Sequence, residues 1–136
     1  SLRPAFQKDG TVTAANASSL NDGASALILA SEQAVKEHNL KPIARVIGTL
    51  LRQPSYGGAA RKPIDFPIAP ALAIPRALER AGLSKDQIAL FEINEAFSAV
   101  ALANMQILDL DASKVNTLGG GVSLGHPIGS SGSRMS

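Results

Sequence analysis

Ala96–Leu108 reads AFSAVALANMQIL, thirteen residues without a charge, with apolar positions round the whole helical circumference. A helix that is hydrophobic all round is buried on every side, and thirteen residues are too few to cross a bilayer. One sheet covers only one side of a helix, so this helix requires a second layer over its other face. The strands that 136 residues can supply do not provide it. The chain is therefore expected to be part of a larger layered protein.

Working outward, the helix is expected from about Glu95, preceded by a strand at Ile88–Ile93. Ser84 and Gln87 have capping-box spacing just before that strand. Further upstream, Pro70 suits the first turn of a helix that runs to Ala81 and is closed by Gly82. Pro75 inside it is expected to kink the helix or shift its start. Residues 52–69 hold three prolines and Gly57-Gly58 and are expected to form a long loop.

Ala24–Ala30 (ASALILA) is an uncharged apolar run, expected to be a strand buried on both faces. Ser31 is placed to cap a short helix at Glu32–His38, and Ile43–Leu51 is the next expected strand. Residues 1–23 are rich in turn signals around a β-prone Thr11-Val12-Thr13. Downstream, Val115-Asn116 and Val122–Leu124 are expected strand pieces about the Gly119-Gly120-Gly121 turn, with a last helix after Pro127. The alternation is that of an α/β fold with a mostly parallel sheet.

The composition is 45% hydrophobic, 18% charged and 4% aromatic, which excludes a disordered or collagen-like chain. With no cysteine, the chain holds no disulfide, no thiolate zinc site and no cysteine nucleophile of its own. A net charge of +2 is too mild for a nucleic-acid binder, and no nucleic-acid partner is expected. Between Lys41 and Arg80 seven bases face two acids, a local +5. That stretch reads either as a solvated face or as an attractor of a phosphorylated ligand.

No apolar run reaches the length of a membrane span, so no membrane association is expected. Ser1-Leu2-Arg3-Pro4 lacks an initiating Met and is unlike a signal peptide, so the chain is expected to be internal to a longer one. The compartment, mitochondrial or cytoplasmic, is then undecidable from the sequence.

The densest chemistry lies in Asn116–Gly132, NTLGGGVSLGHPIGSSG, where seventeen residues hold six glycines and one histidine. Such glycine density lets backbone approach a ligand closely. The stretch lacks the Lys-Ser/Thr ending of a phosphate-binding loop. His126, before Pro127, is expected at the N-cap of the last helix, either as a cap or as a base. Asn94-Glu95-Ala96-Phe97 lies where a buried strand turns into the buried helix. Asn94 there is either the helix N-cap or a group aimed into the crevice at strand C-termini, where it could orient a water or hold an oxyanion. Glu95 is open between a first-turn helix acid and a polar group holding the site. His38 is expected at the surface, and the small residues Ala14–Ser19 invite close backbone approach.

Together these blocks resemble the thiolase family over essentially the whole chain. Residues 116–132 fit the pattern Asn-x-x-Gly-Gly-x-Val-Ser-x-Gly-His-Pro-x-Gly-x-Ser-Gly, residues 94–97 fit the Asn-Glu-Ala-Phe box, and Gly10–Gly23 (GTVTAANASSLNDG) fits a third block. Pro63–Pro70 (PIDFPIAP) is similar to the potassium-responsive, mitochondrial-type acetyl-CoA acetyltransferases of that family.

The resemblance implies a layered αβαβα fold of two similar halves, of which only part is present: residues 1–40 would end the N-terminal half and 41–136 form most of the C-terminal half. It implies Claisen condensation of two acetyl-CoA to acetoacetyl-CoA and CoA, or the reverse thiolysis, through an acyl-enzyme on a cysteine. That cysteine, and the family's second one, would lie outside this chain, and the chain alone would be inactive. His126 and Asn94 match catalytic positions, the histidine activating the cysteine and both groups serving the thioester oxyanion hole. Ser18 and Phe97 match positions on the pantetheine arm and acyl pocket. Carbonyls of Ala14, Ala15, Ala17 and Val122 match ligands of an activating potassium ion. No other cofactor is implied, coenzyme A being substrate and product, and a homodimer or homotetramer is the implied assembly. The alternatives are a degradative 3-ketoacyl-CoA thiolase and a non-catalytic, thiolase-derived binding module.

Overall fold

The computed structural model describes residues 2–49, 53–54 and 56–136. Among the described residues there are five α-helices, α1 (Glu32–Glu37), α2 (Pro70–Ala81), α3 (Ser98–Leu108), α4 (Gly121–Leu124) and α5 (Ile128–Met135), and α2 and α3 pack on a small core. Ile93, Val100 and Val115 form its centre, with Ile74, Phe91, Phe97, Met105 and Leu110 packed around them.

Local chemistry accounts for the helix ends. The Ser31 side chain accepts from Ala34 N–H at the start of α1, and Glu32 pairs with Lys36 one turn on at 2.6 Å. The Lys36 ammonium holds the Glu32 carboxyl below its ordinary range. Helix α2 starts with Pro70 and ends on Gly82 at φ 67°, where Leu83 N–H returns to Leu78 O at 3.0 Å. Pro75 neither breaks α2 nor moves its start. The Ser84–Gln87 capping box is present, although the element it opens is a single 3-10 turn, Lys85–Gln87. At the far end of α3, Lys85 Nζ donates to Leu108 O and Asp109 O at 2.9 and 2.8 Å, a cation on the carbonyl end of a helix.

The sheet is where expectation and structure part most. Among the described residues the paired strands are β1 (Gly48–Thr49) and β2 (Gln53–Pro54), antiparallel with Thr49 opposite Gln53. The expected Ile43–Leu51 strand thus shrinks to β1, and Leu50 and Leu51 lie outside the described residues. The expected 88–93 strand is one parallel bridge, Phe91 to Val115. Ala24–Ala30 has no ladder partner and is exposed, Ile28 almost fully at 94%. Thr11–Thr13 is likewise no strand. A strand exists only through its neighbours, and the apolar run lacks them among the described residues. The expected 52–69 loop contains β2 and a 3-10 helix at Pro63–Ile68.

Helix α3 begins at Ser98, three residues later than expected, because the backbone before it is already engaged. Ser98 N–H donates to Asn16 O at 2.8 Å and Ala96 O accepts from Ser18 N–H at 3.0 Å, forming a bridge between Ala17 and Phe97. Phe97, not Asn94, is therefore the N-cap residue. The inner face of α3 buries Val100, Ala101 and Asn104, whereas Leu102 is 60% and Ile107 55% exposed. The helix is covered on one side only, so the second layer that its sequence demands lies beyond these residues.

Asn104 is fully buried, and its Nδ2 donates at 2.7 Å to both Val100 O and Pro67 O, tying the 63–68 turn to α3. Asn104→Ala is expected to cost about 1–3 kcal/mol, since the half-buried Pro67 O loses its donor. Thermal unfolding measures the loss, and faster hydrogen exchange confined to residues 64–69 locates it.

Candidate active site

The strand-to-helix turn at 93–97 and the glycine-rich turn at 116–127 meet face to face, and Asn116 joins them. It sits in the left-handed region at φ 49°, where asparagine is tolerated. Its backbone N–H donates to Phe91 O at 2.9 Å, continuing the Phe91–Val115 bridge. Its side-chain amide then takes over: Oδ1 accepts from Ile93 N–H at 2.8 Å and Nδ2 donates to Ile93 O at 2.9 Å. An amide side chain thus imitates the next peptide of a strand and fixes the direction in which the chain leaves Ile93 towards Asn94.

Glu95 performs the complementary grip. Its Oε1 accepts from Asn116 Nδ2 at 2.8 Å and its Oε2 from Val122 N–H at 3.2 Å, at the start of α4. A carboxylate suits that helix end, which carries unpaired N–H groups and positive dipole. This contact makes 121–124 a helical turn rather than the expected strand piece. It also explains two glycines: a Cβ on Gly120 would run into the Glu95 carboxylate, and one on Gly121 would lie 2.7 Å from Glu95 O.

His126 follows, half-buried, one residue before the N-cap of α5, which is Pro127 rather than the histidine. Its backbone N–H reaches Asn21 Oδ1 at 3.2 Å and Ser19 O at 3.4 Å. Gly125 at φ 84° delivers the turn, and any Cβ there would collide with the Asn21 amide. Arg134, from the last turn of α5, donates to Gly125 O at 2.7 Å. The ring lies between two side chains: Nε2 is 3.2 Å from Asn94 Nδ2 and Nδ1 is 2.6 Å from Ser131 Oγ. Asn94 Oδ1 is buried and has no partner among the described residues.

The other candidates gather around this pair. Ser18 Oγ donates to Ala96 O at 2.9 Å, placing it between the 94–97 turn and the Ser19–Asn21 segment that holds His126. Phe97 meets Phe6 edge to face at 5.7 Å and Phe66, from the 63–68 turn, at 6.5 Å. Ala17 pairs with Phe97 across the bridge. In that bridge the hydrogen bonds flank the Ala17–Phe97 pair, so the Ala17 carbonyl points away from the 96–98 segment. His38 is exposed at the end of α1.

Asn116, Asn21 and Ser131 went unread as working groups in the sequence, and Glu95 was left open. The available signal was a glutamate beside Asn94 together with a triple glycine 24 residues on, since a half-buried carboxylate needs N–H donors and room that only glycine leaves. Among the described residues no group of three or more His, Cys, Asp or Glu side chains is placed to hold a metal ion. Among them, too, no helix is long and apolar enough to cross a membrane.

The chain belongs to the thiolase family: the thiolase C-terminal domain matches residues 47–136 and the thiolase N-terminal domain residues 1–33. In particular it is 60% identical over 134 residues to the Dictyostelium discoideum protein named "Probable acetyl-CoA acetyltransferase", covering 98% of this chain and 31% of that one. A mitochondrial acetyl-CoA acetyltransferase of Xenopus laevis is 56% identical over 98% of this chain and 30% of its own length. A cytosolic one from Gibberella zeae is also 56% identical, so relatives occupy both compartments.

The structure matches an Ascaris suum thiolase crystallised with coenzyme A at a TM-score of 0.90 and 53% identity, over 98% of this chain and 34% of that one. It matches human mitochondrial 3-ketoacyl-CoA thiolase at 0.90 and 51%, over 98% and 32%. The fold is thus a partial thiolase fold, and the chain spans about a third of the length of the relatives it matches.

Proposed function

We propose that this chain is a segment of an acetyl-CoA C-acetyltransferase, residues 1–40 closing its N-terminal half and residues 41–136 forming most of its C-terminal half. The observation that carries the reading is the contact of Asn94 with His126 at 3.2 Å, formed by two sequence-distant blocks. A cysteine outside this chain passes its thiol proton to His126 Nε2, and its thiolate attacks the acetyl-CoA carbonyl. Coenzyme A leaves as the thiol, and the acetyl group remains on the cysteine. In the condensation direction the family's second cysteine, also outside this chain, takes an α-proton from a second acetyl-CoA as a thiolate; the carbanion attacks the acetyl-cysteine, the bond to the first cysteine sulfur breaks, and acetoacetyl-CoA is released as that sulfur recovers the proton. Asn94 holds the water that, with His126, stabilises the oxygen charge developing on the thioester.

Phe97 and Ser18 line the entry of the acyl and pantetheine groups. A potassium ion, if bound, would be held by the carbonyls of Ala14, Ala15, Ala17 and Val122. Neutral carbonyl oxygens replace the hydration shell of such an ion, and the outward-turned Ala17 carbonyl fits that use. The exposed apolar side chains of Ala24–Ala30 and α3 are covered by the rest of the protein, whose assembly is a homodimer or homotetramer.

Two measurements test the proposal. The intact mass of the protein from its source is expected to exceed 14.0 kDa several-fold, and that full-length protein is expected to cleave acetoacetyl-CoA with coenzyme A. The isolated 136-residue chain is expected to show no thiolysis, since it holds no cysteine; a clear rate from it overturns the mechanism. The likeness to a 3-ketoacyl-CoA thiolase favours a second reading as a degradative enzyme. A higher kcat/KM on a ketoacyl-CoA of eight or more carbons than on acetoacetyl-CoA would select it.

A further inference from the structure

His126 is held on both sides, and the acyl-transfer reading uses only one of them. On the other, Ser131 lies in the first turn of α5, 3% exposed, with its Oγ 2.6 Å from His126 Nδ1. The same hydroxyl donates to Pro127 O at 3.1 Å, the carbonyl one helical turn back. A hydroxyl has one proton, so a Ser131 that donates to Pro127 O must accept at Nδ1. Nδ1 then carries the ring proton of the neutral histidine, and Nε2 presents its lone pair to Asn94 Nδ2 at 3.2 Å. Every donor in the series Asn94, His126, Ser131, Pro127 meets an acceptor.

We propose that Ser131 is a positioning residue for His126, fixing the Nδ1–H tautomer so that Nε2 is the nitrogen that takes the proton. This rests on the acyl-transfer reading for its catalytic consequence, though not for the tautomer itself. When Nε2 accepts the thiol proton, the Nδ1–H to Ser131 bond is unchanged, so the ring gains charge without reorganising its support. Serine, unlike a carboxylate, adds no counter-charge that would trap the protonated ring before it returns the proton. A base oriented by a third group is the general logic of activated nucleophiles. Here a neutral hydroxyl, buried by α5 and anchored to its own helix, occupies that third place. The helix is held in turn from its far side, where Ser25 Oγ meets Ser130 O and Ser130 Oγ, each at 2.9 Å.

The test uses the full-length protein and the isosteric pair Ser131→Thr and Ser131→Val, which differ only in the hydroxyl. S131V is expected to lower kcat for acetoacetyl-CoA thiolysis by about 10- to 100-fold with KM little changed, the usual scale for groups supporting a working histidine. S131T is expected to recover most of that loss. With the histidine rings labelled with 15N, the His126 shifts are expected to report Nδ1–H in S131T and a tautomer mixture in S131V. Equal kcat in S131V and S131T, or Nε2–H in the unmodified protein, overturns the inference. Absence of thiolysis from the unmodified protein overturns the acyl-transfer reading instead, while the ring shifts still decide the role of Ser131.

Discussion

Replacing His126 by alanine in the full-length protein is expected to reduce acetoacetyl-CoA thiolysis by about two to four orders of magnitude, the range general-base groups supply. The loss should fall on kcat. The backbone N–H of residue 126 still reaches Asn21 and Ser19 in the variant, so the turn keeps its shape. Asn94 loses its ring partner and remains in place, because Asn116 fixes the backbone at Ile93. Binding of coenzyme A, measured by calorimetry, is therefore expected to change little. A non-catalytic binding module would show the same retained binding but no thiolysis to lose. Unaltered turnover in H126A would remove the histidine from the mechanism.

Glu95→Gln is expected to be the second large effect, and it is felt in stability as well as rate. The carboxylate accepts from two donors, Asn116 Nδ2 and Val122 N–H. A glutamine can accept from one and must point an NH2 group at the other, so one half-buried donor is stranded, at a cost of about 1–3 kcal/mol. Glu95→Ala strands both donors and empties the space under Gly120, and is expected to cost more. Thermal unfolding of the full-length protein gives the order wild type, E95Q, E95A. Either change frees the 116–122 turn that leads to His126, so thiolysis should fall further than the stability loss alone explains. A Tm in E95Q equal to wild type would mean that the carboxylate carries no part of the turn.

How much of this was legible in the sequence depends on the range of the forces involved. Helices set by local chemistry could be read almost to the residue. Pro70 and Gly82 bound α2, and Ser31 opens α1. Propensity misled at Pro75, whose ring is tolerated inside α2, and at Asn94, a good capping residue whose backbone is taken up before any helix begins. The strand at Ala24–Ala30 is not realised, because strand pairing is a property of two segments and no partner pairs with it among the described residues.

In the site, His126 and Asn94 stood out through residue type beside glycine, proline and an apolar helix. Asn116 and Asn21 did not, because nothing in a polar residue's own sequence neighbourhood says which backbone it will grip across 23 or 105 positions, whereas Ser131 acts locally, on His126 and Pro127 five and four residues back.

The bonds that build the site also decide what can be cut apart. Ser18 to Ala96, Asn21 to His126 and Ser25 to Ser130 each join the segment matched by the N-terminal thiolase domain to the one matched by the C-terminal domain. The seam between the two matched segments passes through the candidate site at His126 and Asn94 rather than around it. A chimera that takes its first segment from one thiolase and its second from another must therefore match at Ser18, Asn21 and Ser25, and a junction anywhere between residues 33 and 47 does not make the segments interchangeable.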